Sequence, residues 1–342
     1  MKVCMTQKNP KKRVTLQDVA KHAGVSRATA SLIVRGSPKI SEKTRKKVLA
    51  SMKELGYVYD RVAANMRSQQ SSTVGLIITD IANPFYSELL VGVHNELEKV
   101  GYIEFLGTTF DSAAKQDRLL STMLEHRVGG IILCPVSNNS TESIAQIQGL
   151  DIPLVTAVRE ISGIQADYVG IDYVTGAEMA VDHLIQKGHR RIAFLGGTSS
   201  STAWKARKQG YTNALKNAGL PIDKSLIIES PVTRDGGKQA VLQLLRQPNP
   251  PTALFCFNDL VAFGVMQGLK EQGIVIGQEM AVVGFDNVPE ASLYQPPLTT
   301  VSSHPRLIGT LAAQLLNERI KDNTREPQRI IIKPELVIRE TT

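Results

Sequence analysis

The feature that most constrains this chain is a long alternation of short apolar runs with amphipathic segments, which fills most of the sequence beyond residue 73. The run Val74–Thr79 is almost entirely apolar, as strands covered by helices on both faces are. In Tyr86–Val100, large aliphatic residues recur three and four positions apart, which predicts a helix with one buried face. Strands and helices that alternate in this way predict wound parallel sheets.

The alternation is long enough for two successive sheets, and we expect the second sheet to begin at Val169–Ile171. The strands predicted in chain order are Val74–Thr79, Ile103–Leu106, Ile131–Cys134, Leu154–Ala157, Val169–Ile171, Ile192–Leu195, Leu226–Ile228, Leu254–Phe257 and Val282–Phe285. Sheets of this kind bind ligands at the carboxyl ends of their strands. The cleft between the two sheets is therefore the expected ligand site.

Ahead of this core, the segment Val14–Arg35 predicts two short helices joined by a tight turn. Thr15 suits the N-cap of the first helix, with Asp18 as its partner in a capping box. Gly24 suits the turn, because glycine tolerates the left-handed backbone that ends many helices. Ser26 suits the cap of the second helix. The side chains left on the open face of that helix are those of Arg27, Ala28, Ser31 and Leu32.

Such a pair is either an ordinary helical hairpin or a unit that lays its second helix in the major groove of DNA. The charge distribution favours DNA binding. Residues 1–70 hold 16 Lys and Arg against four acidic residues, whereas the rest of the chain holds 24 basic and 28 acidic residues. The excess positive charge therefore lies in the segment with the helix pair, as binding to phosphates requires. The candidate DNA contacts are Thr15, Leu16, Ser26, Arg27, Ala28, Thr29, Ser31 and Leu32.

The rest of the basic segment divides into an arm, a third helix and a linker. We expect a basic arm at 1–13 and an all-α DNA-binding domain at 14–59, whose third helix begins after Ser41 and ends at Gly56. Residues 60–72 form either a plain linker or a weak hinge helix that folds only when it pairs with its copy on DNA. The small apolar side of that helix consists of Val62, Ala63 and Met66.

Several classes of protein are disfavoured by what the sequence lacks. The three cysteines are odd in number and far apart, which argues against a disulfide scaffold and a metal site and suits a reducing cytoplasm. No apolar run has transmembrane length, and the N-terminus has no secretory signal. No phosphate-binding fingerprint or nucleophile motif is present, so we expect neither an enzyme nor a cofactor. Gly196-Gly197-Thr198 suits either an anion cradle or an ordinary strand-to-helix turn.

Polar and aromatic side chains follow several of the predicted strands. Because parallel strands end at one edge of a sheet, we expect these side chains to converge on the cleft. Rings, carboxylates and guanidinium groups together suit a polyhydroxylated or partly anionic small molecule. The candidate ligand contacts are Asp80, Phe85, Tyr86, Arg159, Arg207, Asn258 and Asp286, with Asp259 beside them.

A family resemblance adds to this interpretation. VTLQDVAKHAGVS, DIANPFYSEL, HLIQKGHRRIAFLGG, PTALFCFND, VVGFD and PPLTTV follow one another in the order found in bacterial repressors of the lac repressor and galactose repressor family. The chain resembles that family over nearly its whole length. Leu32, Arg159 and HLIQKGHRRIAFLGGTSSS also resemble the family's maltose-regulon repressor branch.

The resemblance implies a helix-turn-helix headpiece and a core similar to periplasmic sugar-binding proteins. The implied core spans 73–342, with an N-subdomain of about 73–160 and 292–323 and a C-subdomain of about 161–291 and 324–342. It also implies a homodimer, or in some members a tetramer, that binds a near-palindromic operator. The linker helix would drive Met66 into the minor groove, where relatives use leucine. Phe85, Tyr86, Arg207 and Asp286 stand where relatives contact their effector.

Four positions depart from the family pattern. Leu32 replaces a common arginine of the second helix, so the operator should differ, and Tyr59 replaces the proline before the linker. In the cleft, Val158 stands where an aspartate often binds ligand hydroxyls, and Val232 stands where an aromatic residue often stacks. These changes argue against a neutral hexose bound in the usual way. The effector class that remains open is a sugar, a sugar phosphate or a similar molecule.

The interpretation that best joins these features is a cytoplasmic, nucleoid-associated regulator of transcription. It would act as a repressor, and a small molecule bound in the cleft would change its affinity for operator DNA. Its partners would be operator DNA, that effector and a second copy, without membrane contact. The alternatives are a secreted solute-binding protein, which the basic N-terminal unit disfavours, and a Rossmann-type enzyme, which lacks a phosphate fingerprint here.

Overall fold

The computed structural model describes residues 14–34, 37–58, 71–137, 142–161 and 163–342. The chain divides into two compact units, Met1–Gln70 and Ser71–Thr342. The expected basic arm, Tyr59 and the predicted hinge residues lie outside the described residues, so their roles stay predictions. Those hinge residues are Val62, Ala63 and Met66.

The described part of the first unit contains three short helices around a small apolar core. They are α1 (Leu16–His22), α2 (Arg27–Val34) and α3 (Glu42–Leu55). The capping box between Thr15 and Asp18 is present, and Gly24 and Gly56 adopt the left-handed backbone, so the predicted helix ends are confirmed. Small side chains let the helices approach closely, and the core consists of Val19, Ala20, Ala23, Ala30, Ile33 and Val48.

The second unit is a two-sheet α/β structure. Its strands are β1 (Thr73–Ile78), β2 (Ile103–Thr108), β3 (Ile131–Leu133), β4 (Leu154–Ala157), β5 (Asp167–Ile171), β6 (Ile192–Leu195), β7 (Ile227–Ile228), β8 (Ala253–Cys256), β9 (Ala281–Asp286), β10 (Thr299–Ser302), β11 (Arg329–Ile332) and β12 (Glu335–Val337). Its helices are α4 (Pro84–Lys99), α5 (Ala113–Glu125), α6 (Glu142–Gly149), α7 (Tyr173–Gln186), α8 (Thr202–Asn217), α9 (Arg234–Leu245), α10 (Asp259–Glu271) and α11 (Pro305–Lys321).

Each sheet has six strands within the part of the chain that the structure describes. The first has the order β11-β5-β4-β3-β1-β2, and all of its pairs are parallel. The second has the order β12-β10-β9-β8-β6-β7 and is parallel except for the pair of β10 with β12. The predicted wound parallel sheets are therefore confirmed, together with the positions of nearly all predicted strands.

The assignment of three strands to subdomains was wrong. β5 pairs with β4 and lies in the first sheet, although the alternation placed Val169–Ile171 at the start of the second. β10 pairs with β9 in the second sheet, and β11 pairs with β5 in the first. The chain therefore crosses between the sheets near Asp172, again near Ser303, and again near Pro334. Local pattern reveals a strand but carries no information about its pairing partner.

The helix α11 packs on the first sheet beside α4, although the strand before it belongs to the second sheet. The two helices cross closely at a pair of glycines. A Cβ atom on Gly92 would lie 2.0 Å from the Arg306 carbonyl oxygen, and one on Gly309 would lie 2.1 Å from that of Leu89. Only residues without a Cβ fit these points of contact. Within the described ranges, no helix is both long and apolar enough to cross a membrane.

Candidate functional site

The first candidate site is the exposed face of α2. Ser26 Oγ accepts a hydrogen bond from the Thr29 amide at 3.0 Å, which caps the helix as expected. Arg27 and Ala28 are exposed in the first turn, and Leu32, one turn further along, is 40% exposed. This face therefore offers a planar donor fork and two apolar groups, which are the groups that read guanine and the methyl of thymine.

Several of the other side chains expected to contact DNA already make contacts within the three-helix unit. The capping box occupies the Thr15 side chain, and Thr15 Oγ1 also donates to the Asp18 carboxylate at 2.6 Å. Leu16 packs against the apolar core, and Ser31 is half-buried. The side chains best placed to reach a partner are therefore those of Arg27, Ala28 and Leu32.

The second candidate site is a cavity of about 310 Å³ between the two sheets. It lies where the carboxyl ends of the strands of both sheets face each other, as parallel topology requires. All of the residues predicted to contact a ligand line this cavity, while their roles toward a ligand stay predictions. They are Asp80, Phe85, Tyr86, Arg159, Arg207, Asn258 and Asp286.

Arg207, on α8, is the central charge of the cavity wall. The residue is 4% exposed, and its guanidinium carbon lies 4.4 Å, 4.5 Å and 4.1 Å from the ring centroids of Tyr173, Phe257 and Phe285. Nη1 donates to the Ala203 carbonyl oxygen at 3.3 Å, whereas Nε has no hydrogen-bond partner among the described residues. Burial lowers the pKa of Arg207. A buried guanidinium with a free donor edge is suited to acceptor oxygens of a ligand.

Asp286, at the end of β9, is the nearest carboxylate to that guanidinium. Its Oδ1 lies 3.8 Å from Arg207 Nη2, which is longer than a hydrogen bond. Burial raises the pKa of Asp286 to about 7, although Arg207 and a hydrogen bond from Ser303 act in the opposite direction. Near neutral pH the carboxyl group therefore exists in both forms, and it can accept a hydrogen bond from a ligand or donate one.

This raised pKa makes a measurable contribution to stability. In the unfolded chain Asp286 ionises near pH 4, whereas in the folded chain it stays protonated up to about pH 7, so the folded state binds more protons in that window. Between about pH 4 and pH 7, the unfolding free energy of the native chain should fall by roughly 3–5 kcal/mol relative to Asp286→Asn, and the difference should then stay constant. Urea unfolding of both proteins across this range measures it. Parallel curves throughout would show that Asp286 does not titrate near neutrality.

The wall formed by the first sheet combines rings with hydroxyl groups. Tyr86 Oη accepts a hydrogen bond from Thr79 Oγ1 at 2.6 Å, and Phe85 packs edge-on against Tyr86 with centroids 5.0 Å apart. Burial raises the pKa of Tyr86, so its hydroxyl stays protonated and can still donate. A ring face next to a hydroxyl suits the mixed apolar and polar faces of a sugar.

Arg159 is held at the cavity edge by a strained turn. Val158 has a φ of +70°, and the Arg159 amide donates to the Ala157 carbonyl oxygen at 2.7 Å, which closes a tight three-residue turn. A β-branched residue rarely adopts this backbone, and such strain persists only where surrounding contacts enforce it. Arg159 Nη1 then donates to Asp111 Oδ1 at 2.6 Å. Burial raises the pKa of Asp111, but Arg159 and hydrogen bonds from Ser137 outweigh it and lower the pKa overall.

Several lining residues were missed by sequence reasoning. Tyr173 follows β5, Asp111 follows β2 and Phe257 follows β8, so the rule that ligands bind at the carboxyl ends of strands would have found all three. Val158 and Val232, the two cleft positions that depart from the family pattern, also line the cavity.

Two other features singled out in the sequence have internal partners. Asp259 is fully buried beneath the cavity wall, where it accepts hydrogen bonds from Thr300 Oγ1 and, at 2.9 Å, from the Val288 amide. Gly196 and Gly197 both have positive φ, and the Ser199 amide beyond them donates to the Glu229 carboxylate at 2.8 Å. The loop after β6 is therefore a strand-to-helix turn that already binds one carboxylate of the chain.

The chain matches two family descriptions that divide it between them. Residues 15–60 match "Bacterial regulatory proteins, lacI family". Residues 71–340 match "Periplasmic binding proteins and sugar binding domain of LacI family". Catabolite control protein A of Priestia megaterium is 36% identical over 331 residues, which cover 96% of this chain and 99% of that protein.

Solved structures give the same result. The lac repressor dimer bound to operator and the anti-inducer ONPF is 27% identical, with a TM-score of 0.84 over 97% of this chain and 99% of that one. The complex of the transcriptional regulator CelR with cellobiose is 32% identical, with a TM-score of 0.74 over 96% and 100% of the two chains. The narrower resemblance to the maltose-regulon branch stays a prediction. The chain belongs to the LacI family of bacterial regulatory proteins and is a DNA-binding regulator of transcription, not an enzyme.

Proposed function

We propose that two copies of this chain bind a near-palindromic operator and repress transcription, and that a small molecule in the cleft of each core changes operator affinity. The headpiece at 14–59 reads the operator, the linker at 60–72 joins it to the core, and the core at 73–342 binds the effector. The repressor acts in the cytoplasm at nucleoid DNA. The observation that carries the proposal is one chain with both an exposed Arg27 face on a basic helical unit and a two-walled polar cleft.

Pairing of two copies is supported by an apolar surface on the first sheet and its helix. The edge strand β2 leaves Ile103, Phe105 and Leu106 each more than 40% exposed. Val91, on the neighbouring helix α4, is 37% exposed. Exposed apolar side chains on a sheet edge and on the helix beside it are typical of a subunit interface.

Coupling from the cleft to DNA requires that a ligand favour one arrangement of the two sheets. Tyr173 lies at the first crossover between them. Its hydroxyl donates to the Val158 carbonyl oxygen at 2.8 Å, while its ring lies against the guanidinium of Arg207. A ligand that contacts Arg207 and the Val158 turn therefore contacts both walls of the cleft next to this crossover. Closure would shift the apolar surface between the two copies and alter the spacing of their linkers.

The test of this function compares effector response with DNA binding. A thermal-shift screen of sugars and sugar phosphates first identifies a compound that stabilises the full-length protein. Operator affinity is then measured with and without that compound. Asp286→Ala or Arg207→Ala should abolish the response while leaving operator affinity without the compound within about threefold of the native value, because both side chains lie in the cleft.

The matched control is Asp235→Ala, which removes an exposed carboxylate from the first turn of α9, outside the cavity lining. It should leave the response intact. If the cleft variants and the control titrate alike, the effector does not bind at these residues. If no compound in the screen changes operator affinity, the proposed control by a cleft ligand of the tested class is wrong.

A further inference from the structure

We propose that the effector is a phosphorylated sugar, and that its phosphate binds between Arg207 and the first turn of α8. This inference rests on the proposed function, because it assumes that the cleft holds the effector. It goes further by assigning the charged group of the ligand to one place in the cavity wall.

The first observation is the unpaired edge of Arg207. Nη1 is occupied by the Ala203 carbonyl oxygen, so the Nε and Nη2 edge remains, with Nε unpartnered among the described residues and Asp286 beyond hydrogen-bond distance. Two donors in one plane match two oxygens of a phosphate. The three rings around the guanidinium keep water away from it, which strengthens such a pair.

The second observation is the start of α8, a 16-residue helix that begins at the cavity. The first amides of a helix have no carbonyl partner within the helix, and together with the helix dipole they favour an anion. Ser201 occupies the N-cap without a side-chain cap bond. Ser201 is 4% exposed, and its Oγ has no hydrogen-bond partner in the described part of the chain. Burying a hydroxyl that makes no hydrogen bond destabilises the folded protein, unless a ligand supplies the missing partner.

Arg207 and this helix start lie together because of helix geometry. Side chains in a helix point back toward its N-terminus, and Arg207 reaches the carbonyl of Ala203 four residues earlier. Ala203 itself lines the cavity, as does Thr198 in the loop before the helix. Thr198, Ala203 and Arg207 therefore line one cavity, and the buried Ser201 lies in the chain between the first two.

The acidic groups nearby leave this position to a ligand. The Glu229 carboxylate accepts hydrogen bonds from the Ser199 amide and hydroxyl. Asp111 forms an ion pair with Arg159. Asp286 faces Arg207, and its protonated form would donate a hydrogen bond to a phosphate oxygen. Its raised pKa makes that form available near neutral pH. Asp80 also lines the cavity, where it accepts a hydrogen bond from the Ala82 amide at 2.9 Å, whereas Val158 and Val232 are apolar.

The test uses Trp204, the only tryptophan of the chain, which lies in the first turn of α8. Its Nε1 donates to the Gly196 carbonyl oxygen at 3.1 Å, so its fluorescence reports on this turn. The full-length protein is titrated with inorganic phosphate against chloride at constant ionic strength. We expect a saturable change with phosphate that chloride does not produce.

Three variants sharpen the result. Arg207→Lys should weaken phosphate binding about tenfold, because a lysine keeps the charge but loses the planar fork. Ser201→Ala, which hardly changes volume, should weaken it about threefold through loss of one hydrogen bond. Lys205→Ala removes an exposed charge from the same helix and should change binding less than about twofold. If circular dichroism shows that Arg207→Lys does not fold, the comparison of Ser201→Ala with the native protein decides the test.

The proposal is overturned if phosphate produces no saturable change in the native protein, or if Ser201→Ala and Arg207→Lys titrate like it. It is also overturned if hexoses bind more tightly than their 6-phosphates in the same titration. If hexoses bind more tightly and also change operator affinity, the proposed regulatory function holds, but its effector is a neutral sugar. Conversely, inorganic phosphate could bind while hexose 6-phosphates leave operator affinity unchanged. That result would support the phosphate site and contradict its role in regulation.

Discussion

Arg27→Ala is expected to weaken binding to the specific operator by about 30-fold to 20,000-fold, while binding to random DNA falls less than about tenfold. A bidentate contact of arginine with guanine contributes roughly 1–3 kcal/mol of discrimination, and a dimer makes it in both half-sites. Arg27 is exposed in the first turn of α2, where a recognition helix meets base edges. Fluorescence anisotropy with both DNAs at one salt concentration measures the two losses.

Two controls separate base reading from general charge. Arg27→Lys keeps the charge without the fork, so it should recover binding to random DNA but not specificity. Lys53→Ala removes an exposed charge from the last turn of α3 and should weaken both DNAs by similar small factors. Equal losses on both DNAs for Arg27→Ala would mean that Arg27 only binds phosphate.

Asp167→Asn is expected to lower the unfolding free energy of the core by about 3–5 kcal/mol, because it leaves the buried guanidinium of Arg319 and the half-buried one of Arg325 without their counter-charge. Asp167 is fully buried at the start of β5. It accepts hydrogen bonds from Arg319 Nε at 2.6 Å, Arg325 Nη2 at 2.7 Å and the Gln328 amide at 2.7 Å. One carboxylate thus ties β5 to α11 and to the segment that leads into β11. Urea unfolding followed by circular dichroism measures the loss.

The control is an ion pair in the same sheet. Glu160 binds Arg329 at 2.9 Å, and the side chains are 48% and 59% exposed. Because solvent screens such pairs, Glu160→Gln should cost no more than about 1 kcal/mol. A loss below about 1 kcal/mol for Asp167→Asn as well would show that the buried cluster does not hold these three segments together.

Local chemistry made the secondary structure predictable. The capping box at Thr15 and the stop at Gly56 depend on residues within one helical turn, and both are present. The apolar runs that mark the strands depend only on burial of both faces, so Leu154–Ala157 and Ile192–Leu195 were predicted to the residue. The charge excess of residues 1–70 is likewise a property of the sequence and needs no structure.

The lining of the cleft was partly predictable for a related reason. In a parallel sheet every carboxyl end lies at one edge, so a polar residue just after a strand is directed to the cleft whichever sheet the strand joins. That is why Asp80, Arg159 and Asp286 were found. The rule does not reveal what surrounds each group, and Tyr173 was passed over although it touches both Arg207 and Val158.

The sequence by itself determined most of the helices, the strands β1 to β9, the division of charge and the family, because each depends on neighbouring residues or on motifs in linear order. Only the tertiary structure decided that β5 and β11 belong to the first sheet and β10 to the second, since those pairings join segments far apart in the chain. It also decided the state of Arg207. Three rings from three segments bury the guanidinium, and its Nε has no hydrogen-bond partner among the residues that the structure describes. This environment exists only when the sheets are assembled.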